Sequence, residues 1–386
     1  MDQLIQSVLD ALPAEQSSVE RLRERHIGSL LSAEALERCG FTIRTQGNGT
    51  FCSCTLCGGA LRVSLDLRPL GGLDGMAILC RLRLAERINA EDSGGLGPAS
   101  GWYLRDDVGS DVESALVQVL STVTVQPQPT DPEDLWKSFA DAYTSDDLKR
   151  TADPDPAYIL CCIANHKAAT GTDKMTASLL ASSLMRGIDG ISRGDVLGDL
   201  PHLCGQLWLR GECGRAVRRL LDPGVEVTAE AWCNTGAALC DGLRLPRPAL
   251  ECFRHSIRMN PRLSPPRQSV WVAGKWVIAE MTAEKDFNGA LSIGQEVEKL
   301  GSQADVDHGF YSYLALAHEA LGDVEQAQKR FGQALRIDPG CALSRSGLDR
   351  LTGRNASPDN GLDLCLMMVR LDLDNWGYVS DQPDVW

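Results

Sequence analysis

The sequence predicts an α+β N-terminal domain, an antiparallel sheet with helices, followed by an all-α helical array. Three observations carry this. Apolar and polar residues alternate between Phe41 and Leu67, the period of half-buried strands. The alternation vanishes beyond a polar, Pro-rich stretch from Val123 to Asp134, which reads as a linker. Further on, a small residue recurs on apolar helical stretches at Ala216, Ala249, Ala290 and Ala327, with spacings of 33, 41 and 37 residues. Repetition on that scale marks stacked helix pairs.

In the first part, a helical pattern runs from Val19 to Cys39 and stops at Gly40, the usual C-terminal punctuation. Strands follow over 41–46 and 50–56, joined at Asn48-Gly49, a strong hairpin signal. A Cys57-Gly58-Gly59 turn leads to a third strand with Leu61, Val63, Leu65 and Leu67 on one face. The segment Asp74 to Asn89 places Ile78, Leu82, Ala85 and Ile88 at helical spacing and is expected to be an amphipathic helix. Gly94, Gly95, Gly97 and Pro98 mark a loop, and residues 101–105 a short strand. Ser110 and Glu113 form a capping box that opens a last helix to Leu120. The expected order is helix, three strands, helix, strand, helix.

That order, with Arg87-Ile88-Asn89, a Trp102-Tyr103-Leu104-Arg105 strand and a closing helix, resembles the type III secretion chaperone-like fold, including the YbjN family, over residues 15–123. The resemblance implies a non-enzymatic domain that binds an extended or helical segment of a partner, often as a homodimer. The expected organisation is 1–125 for this domain, 126–134 for the linker, 135–360 for the helical array and 361–386 for a C-terminal tail.

The array begins with a helix carrying Leu135, Trp136, Phe139 and Tyr143. From His308 to Pro339, Tyr311, Leu314 and Ala315 occupy a first helix, Gly322-Asp323 the turn, and Ala327, Phe331 and Ala334 a second helix. Ala229 to Pro261 repeats the pattern with Trp232, Gly236 and Leu239, then, after one inserted residue, Ala249, Phe253 and Ser256. Weaker copies centre on Gly211–Ala216 and Lys285–Ala290. Small residues let paired helices approach, and the aromatic fills the gap to the next pair. These segments resemble the tetratricopeptide family. The resemblance implies a peptide-binding groove lined by first-helix side chains: Cys233, Ala237 and Cys240; Lys275 and Ala279; Ser312, Leu316 and Glu319. The Lys/Asn/Arg set that clamps a terminal carboxylate is missing, so a more apolar ligand face is expected. Leu364 to Leu373, in the tail, reads as a capping helix or a strand.

The 386 residues carry a net charge of −14. A field of that sign repels phosphate backbones and argues against nucleic acid as a partner. No stretch approaches the ~18 apolar residues of a membrane span, so no membrane insertion is expected. The 14 cysteines are scattered, which suits a reducing cytoplasm better than a disulfide scaffold. Cys52, Cys54 and Cys57 suggest zinc, but no second ligand pair accompanies them, and strand packing is the plainer reading. Gly190-Ile191-Ser192-Arg193-Gly194 matches the nucleophile-elbow pattern without the strand that must precede it. Phosphate-binding and dinucleotide fingerprints are absent. The sequence thus points to a non-enzymatic adaptor or chaperone for a protein or peptide client, with no cofactor. A scaffold subunit of a larger assembly, or a cysteine-based metal or redox sensor, are the alternatives.

Overall fold

A computed structural model describes residues 2–14, 16–46, 49–69, 75–89, 100–125, 156–170, 174–302, 306–353, 361–376 and 378–379. The 126–134 linker, the helix expected around Leu135–Tyr143 and the Gly94–Pro98 loop lie outside these residues.

The first part contains helices α1 (Asp2–Ala11), α2 (Ser18–His26), α3 (Ala33–Arg38) and α4 (Ser110–Val123). Its strands are β1 (Leu30–Ser32), β2 (Thr42–Gln46), β3 (Gly49–Leu56), β4 (Leu61–Pro69), β5 (Met76–Asn89) and β6 (Ser100–Leu104). All pairings are antiparallel, in the order β2-β3-β4-β5-β6, with β1 added beside β5. The helix expected from Val19 to Cys39 is interrupted. Ser17 caps α2 and Ser32 caps α3, while the Gly28 amide donates to the Leu79 carbonyl and draws the chain onto the sheet.

The larger correction concerns 74–89, which is expected to be a helix and is the long central strand β5. Its register with β4 slips between Asp66 and Leu67, a bulge that adds one residue to β5. Ala77 and Leu79 therefore share the buried α2–α4 side of the sheet with Leu82 and Leu84. The residues that suggest a helical stripe mix the two faces of the strand, since Leu82 lies on this side and Ile78 on the other. The opposite face is buried too, because Ile78 and Cys80 pack with Leu30, Met175 and Leu179. A sheet covered on both sides shows no clean alternation.

That second cover is the helix Lys174–Arg186 of the helical part. In this part α5 spans Pro156–Thr170, α6 Lys174–Arg186, α7 Gly194–Gln206 and α8 Arg210–Leu220. Then come α9 (Ala229–Ala237), α10 (Pro246–Met259), α11 (Pro265–Ala283) and α12 (Phe287–Leu300). The series ends with α13 (His308–Ala320), α14 (Val324–Ile337), α15 (Ala342–Leu351) and α16 (Gly361–Asn375). Helices α7–α8, α9–α10, α11–α12 and α13–α14 form successive pairs, and the first helices stack on one another. The N-terminal α1 packs on α10, burying Val8 and Leu12 in the array's core.

Both sharply repeated segments form such pairs. Ala216, Ala249, Ala290 and Ala327 are all buried. The residue inserted in the upstream repeat is absorbed where α9 widens into a π-turn at Ala238–Gly242, the usual signature of one extra residue in a helix. The turn expected at Gly211 lies three residues earlier, at Trp208, whose φ of 56° is left-handed; Gly211 is already inside α8.

Helices α7 and α9 meet backbone to backbone. A Cβ at Gly242 would stand 2.7 Å from the Cα of Gly205, where no flexible side chain can yield. Gly242→Ala should lower stability by about 1–3 kcal/mol through this overpacking. A reduced urea midpoint with an unchanged slope would show it.

Candidate helix-binding groove

The first helices α9, α11 and α13, continued by α15, present one continuous side of the array, and α16 lies across it. It runs along α11 and also touches α13 and α15. The second helix of a final pair would meet only α15 and α14, so α16 is not the next repeat. It buries Cys365, Leu366 and Val369, with Leu362, Met368 and Leu373 half-buried beside them.

Polar contacts fix both ends. Arg350 on α15 reaches the Gly361 carbonyl at 3.2 Å and Cys365 Sγ at 3.3 Å. Glu319 holds Arg350 through a two-pronged pair of 2.7 and 2.6 Å, which raises the guanidinium's affinity for its proton. At the other end the Tyr313 hydroxyl donates to Asp372 Oδ2 at 2.9 Å. Burial pushes the Asp372 carboxyl up despite that bond. Arg370 donates to the Ala283 carbonyl.

Just beyond α16, Trp376 stacks on Trp276 with centroids 4.3 Å apart and planes at 10°. Lys275 Nζ stands 4.4 Å from the Trp276 ring centroid, and Arg244 lies 5.8 Å from Trp376 and 5.5 Å from Trp208. Such alternation of cations and ring faces is attractive. The chain then adds β7 (Tyr378–Val379) to the outer edge of β6. The tail that reads as helix or strand is a helix, and it folds back on the array.

Of the residues singled out from the sequence, Cys233, Cys240, Ala279, Ser312 and Leu316 are buried, whereas Ala237, Lys275 and Glu319 are half-buried. Ser312 is committed to helix packing: its hydroxyl lies 2.7 Å from Ser344 Oγ and donates to the His308 carbonyl. Lys275 pairs with Asp307 at 3.2 Å. Burial pushes the Cys233 thiol up to about 11 and Cys240 well above its ordinary value. The side chains that touch α16 include Tyr313 and Arg350, with Trp276 meeting the Trp376 that follows; none was singled out for the groove. Tyr313 and Trp276 each sit one position after a residue that was, so rotating the assumed helix face by one residue would have found them.

Elsewhere, Cys52 is in the sheet core, Cys54 is half-buried on the same side and Cys57 is exposed at the turn. Burial pushes Cys52 up to about 12 and Cys54 to about 11. Among the described residues no three His, Cys, Asp or Glu side chains are grouped to hold a metal ion. Ser192 is exposed between a 3-10 turn and α7, not between a strand and a helix. Among the described residues no helix is long and apolar enough to cross a membrane.

No family model matches the chain, and no curated relative is found. A solved structure of a tetratricopeptide repeat protein from Parabacteroides merdae aligns over 57% of this chain and 98% of its own, with 15% identity and a TM-score of 0.27.

A second buried constellation joins α2 to α8. Glu20 and Glu212 are 0% and 5% exposed. Glu20 Oε2 accepts from the Gly211 amide at 3.0 Å and from Arg23 at 3.3 Å. Glu20 Oε1 and Glu212 Oε2 meet no hydrogen-bond donor outside the pair, and the two carboxyls are linked, each changing the other's hold on its proton. Burial, then the bond to Glu20, pushes Glu212 well above the carboxylate range. Burial also opposes ionisation of Glu20, but the bond from Glu212, the Arg23 charge and the Gly211 amide outweigh it and hold Glu20 below that range.

A raised folded-state pKa gives stability that is lost as pH rises through it. Glu212 is such a group, whereas the contribution of Glu20 is lost only as pH falls through its lowered value. Glu212→Gln keeps a hydrogen-bond donor without the titrating proton. Its melting temperature should exceed that of the wild type at alkaline pH, and the difference should shrink toward pH 5, in thermal melts followed by circular dichroism.

Proposed function

We propose that this protein is a non-enzymatic adaptor of the tetratricopeptide type, holding an amphipathic helix of a polypeptide client across α11, α13 and α15. The observation that carries the reading is α16. This face already accommodates a helix with apolar side chains inward and polar clasps at both ends, the geometry of helix-in-groove recognition. The acidic net charge of −14 favours clients that are not themselves strongly acidic. A chaperone-like role for the α/β part, including self-association through it, belongs to the same proposal and rests on its sequence resemblance.

A photoreactive phenylalanine analogue at Trp276 tests this against one at Lys329, exposed on α14. Irradiation in the native cell should link a polypeptide to position 276 and none to 329. Linkage only to the chain's own tail would refute the adaptor. Equal linkage of a fixed set of proteins at both positions would favour a scaffold subunit.

A further inference from the structure

We infer that residues 361–379 are a self-ligand: in the unengaged protein they fill the groove with α16 and cap the sheet edge with β7, and a client gains the groove by displacing them. The inference rests on the adaptor reading and adds what the client must look like and what it competes with.

The groove face of α16 shows the recognition pattern itself. Leu362, Cys365, Leu366, Val369 and Leu373 recur at i, i+3, i+4, i+7 and i+11, the anchor spacing of a helix docked by one side. Asp372 meets Tyr313 in the last turn, and Trp376 stacks on Trp276 four residues later. A competing client therefore presents an amphipathic helix with a carboxylate near its end and an aromatic side chain beyond.

The structure also shows why α16 can leave while the array stands. Helix α13 buries Phe310, Tyr313, Leu314, Ala315, Leu316 and Ala317, whereas α16 buries only Cys365, Leu366 and Val369. Its outward side exposes Leu364 (43%) and Met367 (39%), so nothing covers it from outside among the described residues. The contacts at its ends are side-chain hydrogen bonds that water or a client can replace. Segments with few buried apolar contacts are the ones that open without global unfolding. A self-ligand closed in 99 of 100 molecules would weaken a competitor's apparent affinity about 100-fold.

The test uses the full chain and a fluorescent synthetic peptide of residues 361–379. Polarisation titrations compare wild type with the double variant Val369→Asp, Trp376→Ala, which weakens the internal copy but leaves the groove intact. The variant should bind the peptide at least 10-fold more tightly. In wild type, amides 364–373 should exchange with deuterium at least 10-fold faster than amides 311–317. Equal peptide affinity for both proteins would overturn the inference. So would wild-type α16 amides that exchange only as slowly as those of α13, a result that holds even if the variant fails to fold. A native client captured equally by both forms and not displaced by the peptide would keep the adaptor and discard the self-ligand. Tighter peptide binding by the variant, with no client linked at position 276, would keep the self-ligand and discard the adaptor.

Discussion

Glu20→Ala should cost about 3–5 kcal/mol of folding stability, the range for removing one partner of a buried charge pair. The loss is large because one side chain serves three partners. Arg23, 4% exposed, would keep only its bond to the Leu82 carbonyl at 3.1 Å and would lose its hydrogen-bonded ion-pair partner. The Gly211 amide and the Glu212 carboxyl would lose their acceptor. Gly211 itself permits the approach, since a Cβ there would fall within the Glu20 carboxyl group. Glu20→Gln keeps the shape and some of the hydrogen bonds but removes the charge, so it should fall between the two. Urea unfolding midpoints of the three proteins at pH 7 would check this order; a Glu20→Ala midpoint equal to wild type would refute it.

Phe331→Ala should cost a similar amount, about 3–5 kcal/mol for a buried aromatic ring. Phe331 is 0% exposed on α14, and its ring lies where a Cβ on Gly347 of α15 would project. The ring thus joins the last helix pair to α15, which in turn holds α16 through Arg350. A reversal of sign provides a sharp check. Gly347→Ala alone should destabilise, because the added methyl meets the ring. In the Phe331→Ala background it should be neutral or stabilising, since it part-fills the void and gains up to about 1 kcal/mol of helix propensity. Additive effects in this double-mutant cycle would show that the ring and the glycine do not meet.

The division into a sheet-containing part and a helical array was legible because local pattern and packing agree there. Leu61, Val63, Leu65 and Leu67 alternate and share one buried face. Ala249, Phe253, Ala327 and Phe331 repeat and are buried. The misread elements are those where tertiary packing sets the pattern. In β5 a bulge and burial on both faces erase the two-residue period. Between Val19 and Cys39, helical periodicity continues through a three-residue strand, β1, that exists only because β5 lies beside it. That the first helices share one side of the array was legible, but which of their side chains meet α16 was not. Ser312 and Tyr313 differ by one position, and which of them faces outward depends on how α13 is rolled against α11 and α15. The identity of the helix lying in the groove was hidden altogether. Nothing in Leu364–Leu373 says which surface it covers.

The pairing of β7 with β6 has a consequence for the order in which the chain is made. Tyr378 pairs with Tyr103 and Val379 with Trp102, so the outer edge of β6 is covered by residues translated long after the rest of the sheet. At ~5–20 residues per second, β6 waits on the order of tens of seconds with its outward-facing backbone groups uncovered. An open edge of that kind is a template for any strand that passes. The nascent protein therefore spends most of its synthesis with this part of the sheet's rim unfinished.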